Sequence, residues 1–112
     1  MARPALRRLM TLETPLTAED GGGGHVVTWQ ALGALWAHVA AVTASEPLSG
    51  ARERSRVTHR ILVRGAPEGS PRRPAPHQRL REGNRVFGIV GVAEDDAEGR
   101  YLRCWAEEGG GG

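Results

Sequence analysis

The sequence predicts a mainly β protein, a small single-domain β-barrel of about six strands with one short helix. Short runs rich in Val, Ile, Thr and Trp, the residue types that favour strands, recur along the chain. Turn-forming clusters of Gly, Pro, Asp and Asn separate these runs at short intervals. The length of 112 residues fits one domain. We expect that domain to span residues 1–108 and the glycines at 109–112 to form a disordered tail.

The first candidate strands lie on either side of a glycine-rich loop. Leu6–Glu13 is extended in pattern, and Pro15 should end it because proline cannot donate a hydrogen bond to a neighbouring strand. Asp20–Gly24 contains four consecutive glycines and should form a loop tip. His25–Ala31 then restarts extended structure with the strand-forming run Val-Val-Thr-Trp.

Residues 29–40 support two interpretations. Apolar residues at three- and four-residue spacing favour a helix, whereas the alternation between residues 35 and 39 favours a strand. The set at helical spacing is Trp29, Leu32, Trp36, Val39 and Ala40. Gly33 would weaken a helix by about 1 kcal/mol. We therefore favour two strands over residues 25–40 and leave the helix open.

The middle of the chain contains the one predicted helix and the clearest strand. Ser45–Arg54 begins with a capping residue and carries Pro47 in its first turn, which favours a short helix. Arg56–Arg64 alternates strictly, with Val57, His59, Ile61 and Val63 on one face. Gly65–Pro76 is rich in proline and glycine and should be a loop.

The last third of the chain predicts a hairpin and a closing strand. Glu82-Gly83-Asn84 is a turn signal between the hairpin strands Arg79–Arg81 and Arg85–Ala93. In the second strand of this hairpin both faces are apolar, which indicates burial on both sides or cover by a partner subunit. One face carries Val86, Val90 and Val92, and the other carries Phe87 and Ile89. An acidic turn at Asp95–Gly99 leads into the final strand, Arg100–Ala106.

No catalytic or metal-binding pattern stands out. His25, His38, His59 and His77 are not at metal-ligand spacing from one another or from cysteine. The acidic turn is expected to be solvated, and Cys104, the only cysteine, should be a small buried hydrophobe. No run of 18 apolar residues exists, so we expect no membrane span. We predict a non-enzymatic protein without cofactors, made in a reducing cytoplasm.

Two features suggest contacts with other macromolecules. All fifteen basic residues are Arg, although the formal net charge is only +2. Arg72, Arg73, Arg79, Arg81 and Arg85 make a basic segment that either contacts phosphates or an acidic partner, or is merely solvated. Trp105 and Tyr101 share the face opposite Leu102 and Cys104, which makes Trp105 a candidate intersubunit anchor.

Five segments in order resemble the phage head–tail adaptor family, also called head-closure or stopper proteins. They are Leu6–Glu13, Val27–Trp29, Trp36–Val39, Val57–Arg64 and Gly83–Ile89. The Thr-His-Arg-Ile and Gly-Asn-Arg-Val-Phe-Gly-Ile runs are the most specific, and the resemblance covers residues 6–107. The abundance of Arg and Ala also suits a gene transfer agent, a phage-like particle encoded by its host.

The resemblance implies a ring of six or twelve barrels at the head–tail junction of a virion or phage-like particle. Its partners would be adaptor and portal-side proteins above, a tail terminator below, and double-stranded DNA in the lumen. In some members a long loop closes the channel, and here that loop would be Thr43–Ser55. The expected subunit-interface residues are Trp36, Phe87, Tyr101 and Trp105. The expected DNA or partner-ring contacts are Arg52, Arg54, Arg56, Arg72 and Arg73.

A different class of function fits the same composition. A small OB-like or SH3-like module could bind nucleic acid through the basic stretch Arg72–Arg85. Such a module would be a monomer whose affinity for DNA falls steeply with salt, whereas a connector subunit would act through assembly.

Overall fold

A computed structural model describes residues 5–42 and 57–109 of the chain. Within these ranges it contains six antiparallel strands and no helix. The strands are β1 (Arg8–Glu19), β2 (His25–Ala41), β3 (His59–Arg64), β4 (Arg79–Glu82), β5 (Arg85–Glu94) and β6 (Tyr101–Glu108). The helix predicted at Ser45–Arg54 falls outside the described residues. The mainly β prediction is confirmed.

The strands close into a barrel in the order β1-β2-β3-β6-β5-β4. Closure depends on three residue pairs between β1 and the short β4, from Thr11 opposite Arg81 to Glu13 opposite Arg79. The hairpin between β4 and β5 turns at Gly83 and Asn84, as predicted. Gly83 has a φ of 58°, which glycine adopts without the steric penalty that a side chain would bring.

The strand predictions for the first half of the chain were wrong in two respects. β1 does not end at Pro15 but runs to Glu19, because Pro15 lies where only β2 pairs with it and no third strand needs its missing N–H. Residues 25–41 form one long strand rather than two. Its interruption is a bulge, where Leu12 faces Gly33 and Glu13 faces Ala31.

A second bulge lies in β5. Ile89 pairs with Ala106 and Gly91 with Trp105, so Val90 is the extra residue. The predicted alternation placed Val92 on the same face as Val86 and Val90. The bulge turns Val92 to the opposite face, where it packs against the core beside its partner Cys104.

The core fills the barrel with alternate residues of all six strands. Its buried members are Met10, Leu12, Ala37, Ile61, Val63, Leu80, Phe87, Ile89, Leu102, Cys104 and Ala106. Burial also raises the pKa of the Cys104 thiol to about 12, so this side chain is a packed thiol, as predicted. The described residues include no helix long and apolar enough to cross a membrane.

The β1–β2 hairpin extends beyond the barrel wall. Pairing of β1 with β4 stops at Glu13, and pairing of β2 with β3 begins only at Ala37. Residues 14–19 and 25–30 therefore pair only with each other, and we call this two-stranded ribbon the arm. At ~3.4 Å per residue the arm projects about 20 Å, which accounts for a longest dimension of 55 Å against 30 and 26 Å for the other two.

Candidate functional site

The outer wall of the barrel carries a cleft with one exposed tryptophan. This outer cleft, of about 640 Å³, is lined by Leu6, Arg7, Ala34, Leu35, Trp36, Arg64 and Arg72. Trp36 is 55 % exposed and faces Leu9, which is 49 % exposed, across the β1–β2 ladder. Large apolar side chains left in water at adjacent positions indicate a surface that another molecule covers.

Three arginines surround the apolar floor of the outer cleft. Arg7 precedes β1, Arg64 ends β3, and Arg72 lies in the loop between β3 and β4. Within residues 5–42 and 57–109, no carboxylate pairs with any of their guanidinium groups. The cleft is therefore both apolar and positively charged, a combination that favours an acidic partner with apolar side chains.

Trp105 and Tyr101 lie on the outer face of β6, as the alternation predicts. Both side chains are half-buried. The Arg103 guanidinium carbon is 5.6 Å from the Trp105 ring centroid, and Arg103 Nε also donates to Asp95 Oδ1 at 3.0 Å. A tryptophan already covered in part by its own chain offers less new contact area than Trp36, and it stays a candidate for the interface.

Phe87 belongs to the core and not to the surface. Its side chain has no exposed area, and the His59 ring packs edge-on against it at 5.1 Å between centroids. The Arg85 guanidinium carbon also lies 5.0 Å from the Phe87 ring centroid. Sequence alternation alone could not distinguish the inner from the outer face of β5, and barrel closure removes Phe87 from the candidate interface.

The arm is the surface that the sequence interpretation missed. Leu16, Val26 and Val27 are each about half exposed, at 47, 47 and 52 %. At the tip, the Asp20 carboxylate accepts hydrogen bonds from the backbone N–H groups of Gly22 (2.8 Å) and Gly24 (3.0 Å). These bonds hold the pKa of Asp20 below its ordinary value. The only signal in the sequence was a strand-forming run on each side of a four-glycine tip.

A cluster of four charged residues and one histidine lies at one end of the barrel. This end cluster consists of Arg8, His59, Glu82, Arg85 and Glu108. Arg8 Nε donates to Glu82 at 3.0 Å, and Arg85 Nε donates to Glu108 at 2.8 Å. The Arg8 hydrogen bond lowers the pKa of Glu82, and the Arg85 hydrogen bond lowers that of Glu108. The cluster links five strands, β1, β3, β4, β5 and β6, and stabilises this end of the barrel.

Glu13 is a buried carboxylate on the outer wall of the barrel. Its carboxylate accepts from Arg79 Nε at 2.7 Å and from Arg81 Nε at 3.0 Å. Burial raises the pKa of Glu13, but these two bonds outweigh it and the pKa lies below its ordinary value. The Arg79 guanidinium also covers the Trp29 ring at 4.1 Å. Trp29 therefore packs at the base of the arm, where it joins the arm to the wall.

The predicted basic segment divides into two parts. Arg79, Arg81 and Arg85 are engaged by carboxylates of their own chain. Arg73 donates to the Ala66 carbonyl at 2.9 Å, while Arg72 is exposed at the outer cleft. The other candidate contacts, Arg52, Arg54 and Arg56, lie outside the described residues together with the whole segment Thr43–Ser55.

The histidines and the acidic turn are separate features. His25 lies in the arm, His38 is exposed on β2, and His77 lies in a loop with a φ of 76°. In the turn, the Asp96 carboxylate accepts from the backbone N–H of Arg100 at 2.8 Å, which makes it a turn-stabilising residue. No group of three His, Cys, Asp or Glu residues in the described part of the chain could hold a metal ion.

Comparisons with known proteins identify one family and two similar solved structures. The sequence matches the family described as phage head completion protein over residues 1–109. A solved structure of the virion of a native gene transfer agent particle contains a chain that is 48 % identical. The two superpose with a TM-score of 0.74 over 95 % of this chain and 97 % of that one. No curated protein matches.

A second solved structure is similar at lower identity. The solution structure of protein SF1141 from Shigella flexneri 2a is 28 % identical, with a TM-score of 0.72 over 98 % of both chains. The family match covers all the strands and the outer cleft. This chain therefore belongs to the phage head completion protein family.

Proposed function

We propose that the protein is a structural subunit of a phage-like particle, in which copies form a ring at the head–tail junction. The likeness to a chain of a gene transfer agent virion, at 48 % identity over nearly the whole length of both chains, carries this proposal. The ring would occupy the head-closure position, between portal-side adaptor proteins and the tail terminator. It would join the DNA-filled head to the tail and pass or retain the DNA.

The surface of the barrel supports an assembly role. The described residues offer a large exposed apolar pair, Leu9 and Trp36, and a projecting arm with three further half-exposed apolar side chains. Such surfaces are costly on a free monomer and are typical of subunits that assemble. The outer face of β6 with Tyr101 and Trp105 is a second candidate contact.

Arginine provides the proposed contact with DNA or with the adjoining ring. Arg72 is exposed and free of carboxylate partners in the described ranges, and the proposal extends to Arg73, Arg52, Arg54 and Arg56. Guanidinium groups bind phosphates through bidentate hydrogen bonds. In a channel these contacts would be independent of DNA sequence, as passage of a whole genome requires.

Electron microscopy of purified particles tests the proposal. We expect density for this barrel in a closed ring between head and tail, and deletion of the gene should leave filled heads and tails unjoined. Finding the protein absent from particles that are complete and infective or transducing would refute the connector role. A monomer that binds DNA with a steep salt dependence and never enters particles would instead support the nucleic-acid-binding alternative.

A further inference from the structure

The arm carries apolar surface that its own chain cannot cover. Leu16 and Val26 lie on the face that continues the barrel interior. Leu16 pairs with Thr28 and Val26 with Ala18, so the two pairs are successive on that face with one pair between them. Inside the barrel this face of β1 carries the buried core residues Met10 and Leu12, whereas on the arm Leu16 and Val26 are each 47 % exposed. An isolated two-stranded ribbon is marginally stable in water and gains from a packing partner.

The charges of the arm and of the outer cleft are opposite. Residues 14–30 contain Glu19 and Asp20 and no Arg or Lys. The outer cleft is lined by three arginines, Arg7, Arg64 and Arg72, and by no acidic residue. Both surfaces also expose apolar side chains of comparable extent, Leu16 and Val26 on the arm and Trp36 in the cleft.

We propose that the arm of one copy docks into the outer cleft of the next copy, with Leu16 and Val26 against Trp36 and the acidic tip against the cleft arginines. This inference rests on the proposed ring and names the contact that builds it. The cleft, at about 640 Å³, has room for several side chains of a ribbon. Because arm and cleft are different surfaces, the contact is head-to-tail, and repetition closes a ring when the rotation divides a full turn.

Engineered cysteines in assembled particles test the contact directly. Particles are prepared in which the only copy of the chain carries Ala18→Cys on the arm and Ala34→Cys in the cleft, and mild oxidation follows. We expect a ladder of disulfide-linked dimers, trimers and larger species on a non-reducing gel. The native Cys104 does not interfere, because it is buried and its pKa is raised to about 12.

Matched variants control for chance disulfides. Each single cysteine variant should give no ladder, and neither should Ala18→Cys combined with Asn84→Cys, which lies in the exposed turn at the other end of the barrel. Double-cysteine particles that contain the chain yet form no ladder would overturn the arm–cleft contact and leave the ring proposal standing. A disulfide to a different protein, identified by mass spectrometry, would also overturn it.

The size of the cross-linked species separates this inference from the proposed function. Dimers without larger species would support the arm–cleft contact in a two-fold pair and contradict a ring. Complete particles that lack the chain altogether would refute the proposed function, and the inference with it. By contrast, particles that contain the chain but give no ladder would overturn only the arm–cleft contact.

A charge exchange provides a second test that needs no disulfide. Glu19→Arg places a like charge against the cleft arginines and should lower the amount of the chain in purified particles roughly tenfold. Adding Arg64→Glu to the same chain should restore most of it. Equal incorporation of Glu19→Arg and the wild type would contradict the proposed polarity of the contact, and circular dichroism confirms that both variants fold.

Discussion

Glu13 lies on the outer wall of the barrel, yet its side chain is only 8 % exposed. Two arginines on the neighbouring strand, Arg79 and Arg81, satisfy both of its carboxylate oxygens. Each bond to a charged group contributes about 1.5–3 kcal/mol when it is removed singly from a buried site. These residues join β1 to β4, the strand pair that closes the barrel. The two ion pairs of Glu13 therefore stabilise barrel closure.

Replacing Glu13 should therefore destabilise the fold although it lies outside the core. We expect Glu13→Gln to lower the free energy of unfolding by about 2 kcal/mol, since the amide can satisfy only part of what two guanidinium groups donate. Urea denaturation measures this change. Glu19→Gln, on the same strand but exposed, should stay within about 0.5 kcal/mol of the wild type. Equal effects at the two positions would show that the two ion pairs of Glu13 contribute nothing.

His59 links the stability of the barrel to pH. Burial lowers its pKa below the ordinary value of 6.5, and the charges of Arg85 and Arg8 act in the same direction against the opposing charge of Glu108. In the unfolded chain the imidazole binds a proton as the pH falls through about 6.5, whereas in the folded chain it does so only at lower pH. Stability contributed by neutral His59 is therefore present above pH 6.5 and is lost below it.

The variant His59→Gln should remove this pH dependence. We expect the wild-type urea midpoint to fall between about pH 7.5 and pH 5.5, and the midpoint of the variant to change less over that window. The lowered pKa values of Glu82 and Glu108 act at more acidic pH, below their ordinary value of 4.5, and do not overlap with it. The exposed His38→Gln serves as the control and should keep the wild-type slope. A variant slope equal to that of the wild type would contradict the assignment.

At the scale of the elements, the backbone directly after β3 packs closely against the turn before β6. A Cβ atom on Gly65 would lie 2.1 Å from the carbonyl oxygen of Gly99, in the turn before β6. The backbone N–H of Gly65 also donates to the Arg100 carbonyl at 2.7 Å. Glycine is needed here because two backbone segments meet, and not because of a left-handed φ.

Gly65→Ala should consequently be among the more damaging glycine substitutions. We expect a loss of about 2–3 kcal/mol, since backbone atoms on both sides must shift to admit a methyl group. Gly91→Ala is the matched control in β5, where a Cβ would meet only Trp105 at 3.9 Å, an ordinary contact. Thermal unfolding of both variants measures the difference, and equal midpoints would contradict the close approach.

At the scale of the whole molecule, different aromatic residues serve the core and the proposed interface. Phe87 has no exposed surface and belongs to the core, whereas Trp36 is 55 % exposed on the outer wall. Trp105 lies between these extremes, half-buried on the outer face of β6. Loss of an exposed aromatic ring removes little packing from the monomer but removes an anchor from an interface.

A pair of truncations tests this separation. Trp36→Ala should change the free energy of unfolding by no more than about 1 kcal/mol, and it should strongly reduce incorporation of the chain into particles. Phe87→Ala should cost about 3–5 kcal/mol of stability through the cavity that it leaves. Quantifying the chain in purified particles, beside urea denaturation of each variant, gives both readouts. Normal incorporation of Trp36→Ala would exclude Trp36 from the interface.

The family followed from the resemblance of five ordered segments, whereas local sequence patterns determined the β class, the Gly83 hairpin and the buried face of β3. These features depend on side-chain alternation and turn chemistry, which act over a few residues. Alternation also indicated that Cys104 is buried and that Trp105 faces away from the core. It could not say which face of the apolar strand β5 points inward, because both faces carry hydrophobic residues.

Tertiary structure alone decided the closure of the barrel, the two bulges, the arm and the outer cleft. Each depends on pairing between residues far apart in the sequence, such as Glu13 with Arg79 or Leu9 beside Trp36. A bulge shifts alternation by one residue and moves every later side chain to the other face, so a period of two read along the chain misplaces Val92. The arm exists because β1 and β2 are longer than the strands beside them, a difference in length that only the folded sheet reveals.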